Sequence, residues 1–229
     1  MKIPEVFLLS GLPLTRIRKR PLPARFIERP NRFTARVLLP DGGESPAHLP
    51  NPGRLTGTLI AGCTVLLDGP FPPPRALPYT VVAAREPAVL VGTVTTYANR
   101  VFAELWRGSA FPELRGRALV AEIIHGNNRF DFRAGRTFVE VKSVTLAEGR
   151  TALFPDAVTG RGAKHCRELA RLARRGTPAA IVFVAQRDDV DWIAPADLTD
   201  PEFAAALRHA ARSGARLLGC ALEITPLVI

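Results

Sequence analysis

Asp131, followed by Glu140-Val141-Lys142, is the part of this sequence best suited to chemistry. Side chains alternate along a strand, so Glu140 and Lys142 share one face while Val139 and Val141 turn to the other and can enter a core. A short hairpin places Asp131 on the preceding strand, within easy cross-strand reach. Two carboxylates and a lysine on neighbouring strands suit phosphodiester hydrolysis. The carboxylates can hold Mg²⁺ or Mn²⁺, which polarises a phosphate and lowers the pKa of a bound water, and the ammonium can offset developing negative charge. The competing reading is a cross-strand salt bridge on a solvated face. Lysine usage adds weight to the first reading. Of 31 Lys and Arg residues only Lys2, Lys19, Lys142 and Lys164 are lysine, so a chain that otherwise chooses Arg keeps the compact, tunable cation at 142 and 164.

Other residues could join such a site. Glu122, in phase with Val120 and Ile124 on the strand before Asp131, is either a further metal ligand or a charge at a strand end. Asp156, in Phe154-Pro-Asp-Ala, is read first as an Asx turn and second as a ligand. Arg161, Lys164, Arg167, Arg171 and Arg175 recur three or four residues apart as a basic stripe opposite Cys166, Leu169, Ala170 and Ala173. Arg161 and Lys164, with the free N–H groups of a helix start, could grip phosphate. His165 is either a proton carrier or a structural or phosphate-bonding group. Asp188, Asp189 and Asp191 read as a solvated turn rather than a metal loop. Tyr79, Phe33 and Phe71 are the few barrel aromatics that could stack on bases.

These residues need elements to hold them. Residues 1–20 read as a basic extension. From 21 to 94, short apolar runs (Phe33–Leu39, Val65–Leu67, Tyr79–Ala84, Val89–Val94) alternate with Gly- and Pro-rich turns, the pattern of a small barrel. From 95 to 229 the order is helix (Ala98, Val101, Phe102, Leu105), strands at 118–124, 129–133 and 137–146, a helix over 161–175, a doubly buried strand at 179–185, a helix from the Asp200-Pro201 cap to Gly214, and a strand at 216–224. An antiparallel meander continued by α/β crossovers predicts a mixed sheet with helices on its faces.

The chain has 229 residues and a formal net charge of +10. Residues 1–90 hold 12 basic and 6 acidic groups and the remainder 19 and 15, so both halves carry a surplus suited to a polyanion. Cys63, Cys166 and Cys220 lack CxxC or Cys/His zinc spacing and read as thiols of a reducing compartment. No apolar run is long enough to span a membrane. The apolar start is preceded by Glu5 and followed by Arg16, Arg18, Lys19 and Arg20, the wrong order for a signal peptide. A cytoplasmic protein is expected.

The helix, three strands, helix and strand, with Asp on the second strand and Glu-x-Lys on the third, resemble the αβββαβ core of the PD-(D/E)XK nucleases. There a carboxylate on the first helix often joins the metal site, which points to Glu104. The chain also resembles the sugar fermentation stimulation protein A family. The matching stretches are Arg32-Phe-Thr-Ala-Arg-Val, His48-Leu-Pro-Asn-Pro-Gly-Arg-Leu, Asn128-Arg-Phe-Asp-Phe, Val139-Glu-Val-Lys-Ser-Val-Thr-Leu, Phe154-Pro-Asp-Ala-Val-Thr-Gly-Arg-Gly-Ala-Lys-His and Gln186-Arg-Asp. In the barrel loop, Leu49, Pro52, Arg54 and Leu55 replace the family's usual residues. The resemblance implies an α/β (α+β) protein with an N-terminal OB-like barrel followed by a nuclease-like domain. It implies double-stranded DNA binding without sequence preference and a role in regulating sugar metabolism. The expected catalytic set is Asp131, Glu140 and Lys142. The expected ligands of Mg²⁺ or Mn²⁺ are Asp131, Glu140, Glu104 and Glu122, and the expected nucleic-acid contacts are Arg54, Arg129, Arg161, Lys164, His165 and Arg167. A non-enzymatic DNA-binding regulator and an RNA-binding or RNA-processing module are the alternatives.

Overall fold

The computed structural model describes residues 6–9, 21–114, 116 and 118–225. Its first segment, β1 (Val6–Leu9), belongs to the second domain. The first domain is made of β2 (Leu22–Asn31), β3 (Thr34–Leu38), β4 (Glu44–His48), β5 (Thr64–Asp68), β6 (Tyr79–Arg85) and β7 (Leu90–Gly92). Alternate residues point inward, and Phe26, Val37, Ala47, Leu49, Val65, Leu67 and Val81 form one core. Neighbours run β4-β3-β2-β5-β6, and a parallel contact at Ala47↔Tyr79 and His48↔Thr80 joins β4 to β6. This closes a five-stranded OB barrel and leaves β7 hydrogen-bonded to the outside of β6. The closing strand β4 reads Glu-Ser-Pro-Ala-His. Without an apolar run it gives no strand signal, and its place comes from pairing.

The second domain begins with α1 (Tyr97–Arg107). The antiparallel strands β8 (Leu119–His125), β9 (Asn128–Ala134) and β10 (Thr137–Val144) follow, then β11 (Leu146–Glu148), β12 (Thr151–Phe154), α2 (Gly160–Arg174), β13 (Ala179–Ala185), β14 (Trp192–Pro195), α3 (Pro201–Arg212) and β15 (Arg216–Leu222). The main sheet has the order β1-β15-β13-β10-β9-β8 and is mixed, as expected. All seven residues of β13 are buried, because helices cover both faces. Ala98, Val101, Phe102 and Leu105 of α1 pack with Val139, Val141, Val182 and Val184 on one face. Cys166 and Leu169 of α2 and Phe203 and Leu207 of α3 pack with Phe138, Val144, Ile181 and Phe183 on the other.

Two expectations are corrected. Residues 6–9 are not part of a free extension: β1 runs parallel to β15 at the edge of the main sheet, from Val6↔Gly219 to Leu9↔Leu222. The rest of the expected basic arm lies outside the described residues. The strand expected over 137–146 ends at Val144, and Leu146 starts a separate small sheet, β11-β12-β14. Buried Thr145 marks the break, and its carbonyl turns away to accept from Arg187. No helix among the described residues is long and apolar enough to cross a membrane.

Candidate active site

The alternation read from the sequence holds along β10. Val139 and Val141 face α1, while Glu140 shares the opposite face with Phe138 and Val144. Glu140 is 5% exposed, so its charge needs partners. Lys142 Nζ donates to Glu140 Oε1 at 2.6 Å, and Nδ1 of His165, on α2, lies 2.6 Å from the same oxygen. Burial works to raise the Glu140 carboxyl, but the His165 hydrogen bond and the Lys142 charge outweigh it and hold the group below its ordinary value. An ionised carboxylate can only accept, so His165 carries a proton on Nδ1. Glu140 Oε2 is buried and meets no donor among the described residues.

Asp131 sits where β9 loses its regularity. The β9–β10 pairing ends at Val139↔Phe132, and the Glu122–Asp131 pair drops out of an otherwise continuous β8–β9 ladder. Burial changes sides at the same point: Phe132 and Ala134 pack with α1, whereas Phe130 packs with α2 and α3. Opposite the break Glu122 has φ +55°, a conformation uncommon outside glycine. Irregularities of this kind re-aim side chains. Asp131 Oδ2 accepts from the Val141 N–H at 2.8 Å, and Oδ1 accepts from Asn99 Nδ2 of α1 at 3.2 Å. The carboxyl is pushed above its ordinary value, first by burial and then by the charge of Glu140. The two acids therefore sense each other, although each is tethered to a different helix layer.

Several expected participants are placed elsewhere. Glu104 is exposed on α1, and the α1 residue that reaches Asp131 is Asn99. The helix buries positions 98, 101, 102 and 105, which turns 104 outward. Glu122 is exposed on β8. His165 is 4% exposed and bonded to Glu140, which removes it from the expected phosphate contacts. Arg129, Arg161 and Lys164 are exposed. Lys164 Nζ donates to the Asn127 carbonyl at 3.3 Å. Arg167 pairs with Glu202 of α3, and Arg171 with Glu168. The start of α2 is capped from its own sequence and from the start of α3, and this capping takes up the Gly162 N–H among those expected to face phosphate. Asp200 accepts from the Thr159 N–H at 2.7 Å and Thr159 Oγ1 from the Gly162 N–H at 3.1 Å.

Asp156 reaches beyond its own loop, to the barrel. Its Oδ2 accepts from the Leu55 N–H of the barrel loop at 3.2 Å. A Cβ at Gly53 would lie 2.2 Å from its carboxylate oxygens, so only glycine allows this approach. Arg54 is exposed and lines a junction cavity of about 100 Å³ with Leu55, Thr58 and Asp156, but without Asp131, Glu140 or Lys142. In the acidic cluster, Asp189 and Asp191 pair with Arg187 and Arg150, as suits a turn and not a metal loop. Neither Asn99 nor the inward His165 carries a local signal of its role.

Among the described residues no group of three or more His, Cys, Asp or Glu side chains is gathered for a metal. The donor set still fits one cation type. Mg²⁺ is commonly held by one or two carboxylates, with water and substrate phosphate completing the shell. Asp131 and Glu140 supply two hard oxygen donors, and the bare, buried Glu140 Oε2 is an acceptor without its donor.

Comparison with known proteins supplies a second line of observation. The profile of the SfsA N-terminal OB domain matches residues 27–93, and that of the sugar fermentation stimulation protein RE domain matches residues 96–227. The sugar fermentation stimulation protein homolog of Rhodospirillum centenum is 42% identical over 211 residues, covering 88% of this chain and 91% of the relative. The homolog of Pelobacter propionicus is 40% identical over 206 residues, covering 87% and 90%. The structure of Pyrococcus furiosus SfsA in complex with Ca²⁺ superimposes with a TM-score of 0.80 at 28% identity, covering 99% of this chain and 94% of that one.

Proposed function

The chain belongs to the sugar fermentation stimulation protein family, and from that premise we propose that it binds DNA without sequence preference and hydrolyses phosphodiester bonds with a divalent cation at Asp131 and Glu140. The observation that carries this reading is the unpartnered, buried Glu140 Oε2 beside a second carboxyl that burial and Glu140 itself hold above its ordinary value. The Ca²⁺ complex of the Pyrococcus furiosus relative supports divalent-cation binding by this chain. Mg²⁺ or Mn²⁺ would polarise the phosphate and lower the pKa of a bound water. Glu140 and Asp131 present oxygens, Asn99 and the Val141 N–H fix the Asp131 carboxylate, and Lys142 places a cation where negative charge develops. Exposed Arg129, Arg161 and Lys164 supply duplex contact through phosphates, which carries no sequence information. The free thiols Cys63, Cys166 and Cys220 suit a reducing cytoplasm.

A regulator that binds DNA without cutting it is favoured by one observation: no third ligand side chain is gathered at the site among the described residues. Incubation with supercoiled, linear and single-stranded DNA and with RNA, in Mg²⁺, Mn²⁺ or EDTA, separates the readings. Metal-dependent cleavage of DNA is expected. Binding without cleavage under every condition establishes the regulator, and activity on RNA alone establishes the RNA-processing alternative.

A further inference from the structure

Two donors converge on one oxygen of Glu140. Lys142 reaches Oε1 along β10, and His165 reaches the same Oε1 from α2, each at 2.6 Å, while Oε2 meets no donor among the described residues. If the contact served only to neutralise a buried charge, one donor on each oxygen would satisfy the carboxylate better, because a bare buried acceptor is costly. Lys142 alone does not fix the carboxylate, since its flexible stem and rotatable ammonium tolerate many orientations. The imidazole is rigid and its place is set by packing. His165 is 4% exposed, and the Phe130 ring lies 5.5 Å from it, centroid to centroid. Phe130 faces His165 because β9 turns over at Asp131, so one backbone irregularity places both Asp131 and the wall behind His165.

We propose that His165 is a positioning residue for the cation site, pinning Glu140 Oε1 so that Oε2 is presented in a fixed direction to a divalent cation. The inference rests on the cation reading above and assigns a role that lies outside the Asp131, Glu140 and Lys142 set. Groups that orient a metal-ligating carboxylate commonly change metal affinity by about 10- to 100-fold when removed. The contact is made through Nδ1, which gives the proposal a stereochemical signature. The side-chain nitrogen of Asn is bonded to Cγ, as Nδ1 of His is, whereas that of Gln lies one atom further out. Asn at 165 can therefore restore the donor and Gln cannot do so without moving the carboxylate.

The test is a calorimetric titration with Mn²⁺, and separately with Ca²⁺, in the absence of nucleic acid and at one fixed pH. It compares the wild type with Glu140→Gln, His165→Asn, His165→Gln and His165→Leu, each first shown to be folded by its thermal melt. The wild type and His165→Asn are expected to bind alike, His165→Gln and His165→Leu about 10- to 100-fold more weakly, and Glu140→Gln not measurably. A merely structural bond between α2 and the sheet would alter melting temperature but leave the affinity of the folded variants unmoved. Wild-type affinity in His165→Gln or His165→Leu overturns the positioning role while leaving the cation reading intact, and His165→Asn as weak as His165→Leu overturns the Nδ1 assignment. A wild type that binds neither ion overturns the cation reading and the positioning role with it. If the leucine variant does not fold, the two amides, which differ by the one methylene that sets how far out the nitrogen lies, decide the matter.

Discussion

Two clusters of buried charge in this molecule have opposite character. At the junction of the domains, Arg187 is 4% exposed and uses its whole guanidinium. Nε donates to Asp189 Oδ1, Nη1 to Glu86 Oε1 and the Thr145 carbonyl, and Nη2 to Glu86 Oε2 and Asp189 Oδ2. All five donors of the fork are matched. Burial opposes the Arg187 charge, yet Asp189 and Glu86 more than compensate and raise its pKa, while Arg187 in turn holds Asp189 below its ordinary value. At the β9–β10 break the reverse obtains. One Glu140 oxygen takes two donors and the other none, and Asp131 is held above its ordinary value. A complete network tells of structure. An incomplete one leaves a buried acceptor free to take a further partner, which is what the cation reading requires.

The contrast is open to direct attack. Removing one partner from a buried, matched network leaves charges stranded, so Arg187→Ala is expected to lower stability by about 3–5 kcal/mol. Denaturant unfolding would measure this, and Mn²⁺ titration of the folded variant would show unaltered affinity. A loss near zero would end the distinction between the clusters. Next in size, Asp131→Asn should reduce DNA cleavage by about 100-fold or more, while duplex affinity is kept or improved, because a charge that repels phosphate is gone. Equal loss of binding and cleavage would place Asp131 in a plain contact surface.

The pH dependence of stability should have opposite signs at the two sites. The Asp131 carboxyl is raised in the folded protein, so its ionisation costs stability as pH climbs from about 4, the ordinary Asp value, through its folded value, and the cost is constant beyond. Asp131→Asn should therefore gain on the wild type across that window. The Asp189 carboxyl is depressed. Its contribution is present above about pH 4 and is lost as pH falls through the folded value, so the deficit of Asp189→Asn should vanish in acid. Melting curves over a pH series read both trends, and slopes of the same sign would contradict the comparison. Smallest of all, Arg161→Glu, at an exposed cation outside both clusters, should leave melting unaltered and weaken every duplex alike. The slope of log affinity against log salt is expected to fall by about one.

Much of this was legible in the residues, and what was not follows a physical pattern. Period-two alternation put Val139 and Val141 in the core and Glu140 beside Lys142, since that depends only on local strand geometry. The break at Asp131 was not legible, because regular alternation continues through it in sequence while the burial of Phe130 and Phe132 reverses in space. Asn99 was hidden as a site residue, and His165, read as a proton carrier or a phosphate contact, could not be matched to Glu140, for both reach β9 and β10 from layers whose packing distance no local spacing encodes. Glu104 was misplaced because the site face of α1 is set by the sheet below it. Strand β1 pairs with residues more than two hundred positions away, and no local pattern announces that.

The seam at Gly92 carries one further consequence. Its N–H donates to the Gln186 carbonyl at 2.9 Å, and the Gln186 side chain donates to the Val94 carbonyl and to Ser143 Oγ. A Cβ at Gly92 would come within 2.6 Å of the Gln186 side-chain oxygen, so the barrel's last strand lies hard against the end of β13. The boundary between 94 and 95 is thus a convenient place to count domains but a poor place to divide them. A cut there strands polar groups on both sides, and neither half retains the partners that made its surface tolerable to bury. Heat should then meet a single cooperative unit: the barrel and the α/β layers are expected to melt together, in one transition seen identically by calorimetry and by circular dichroism.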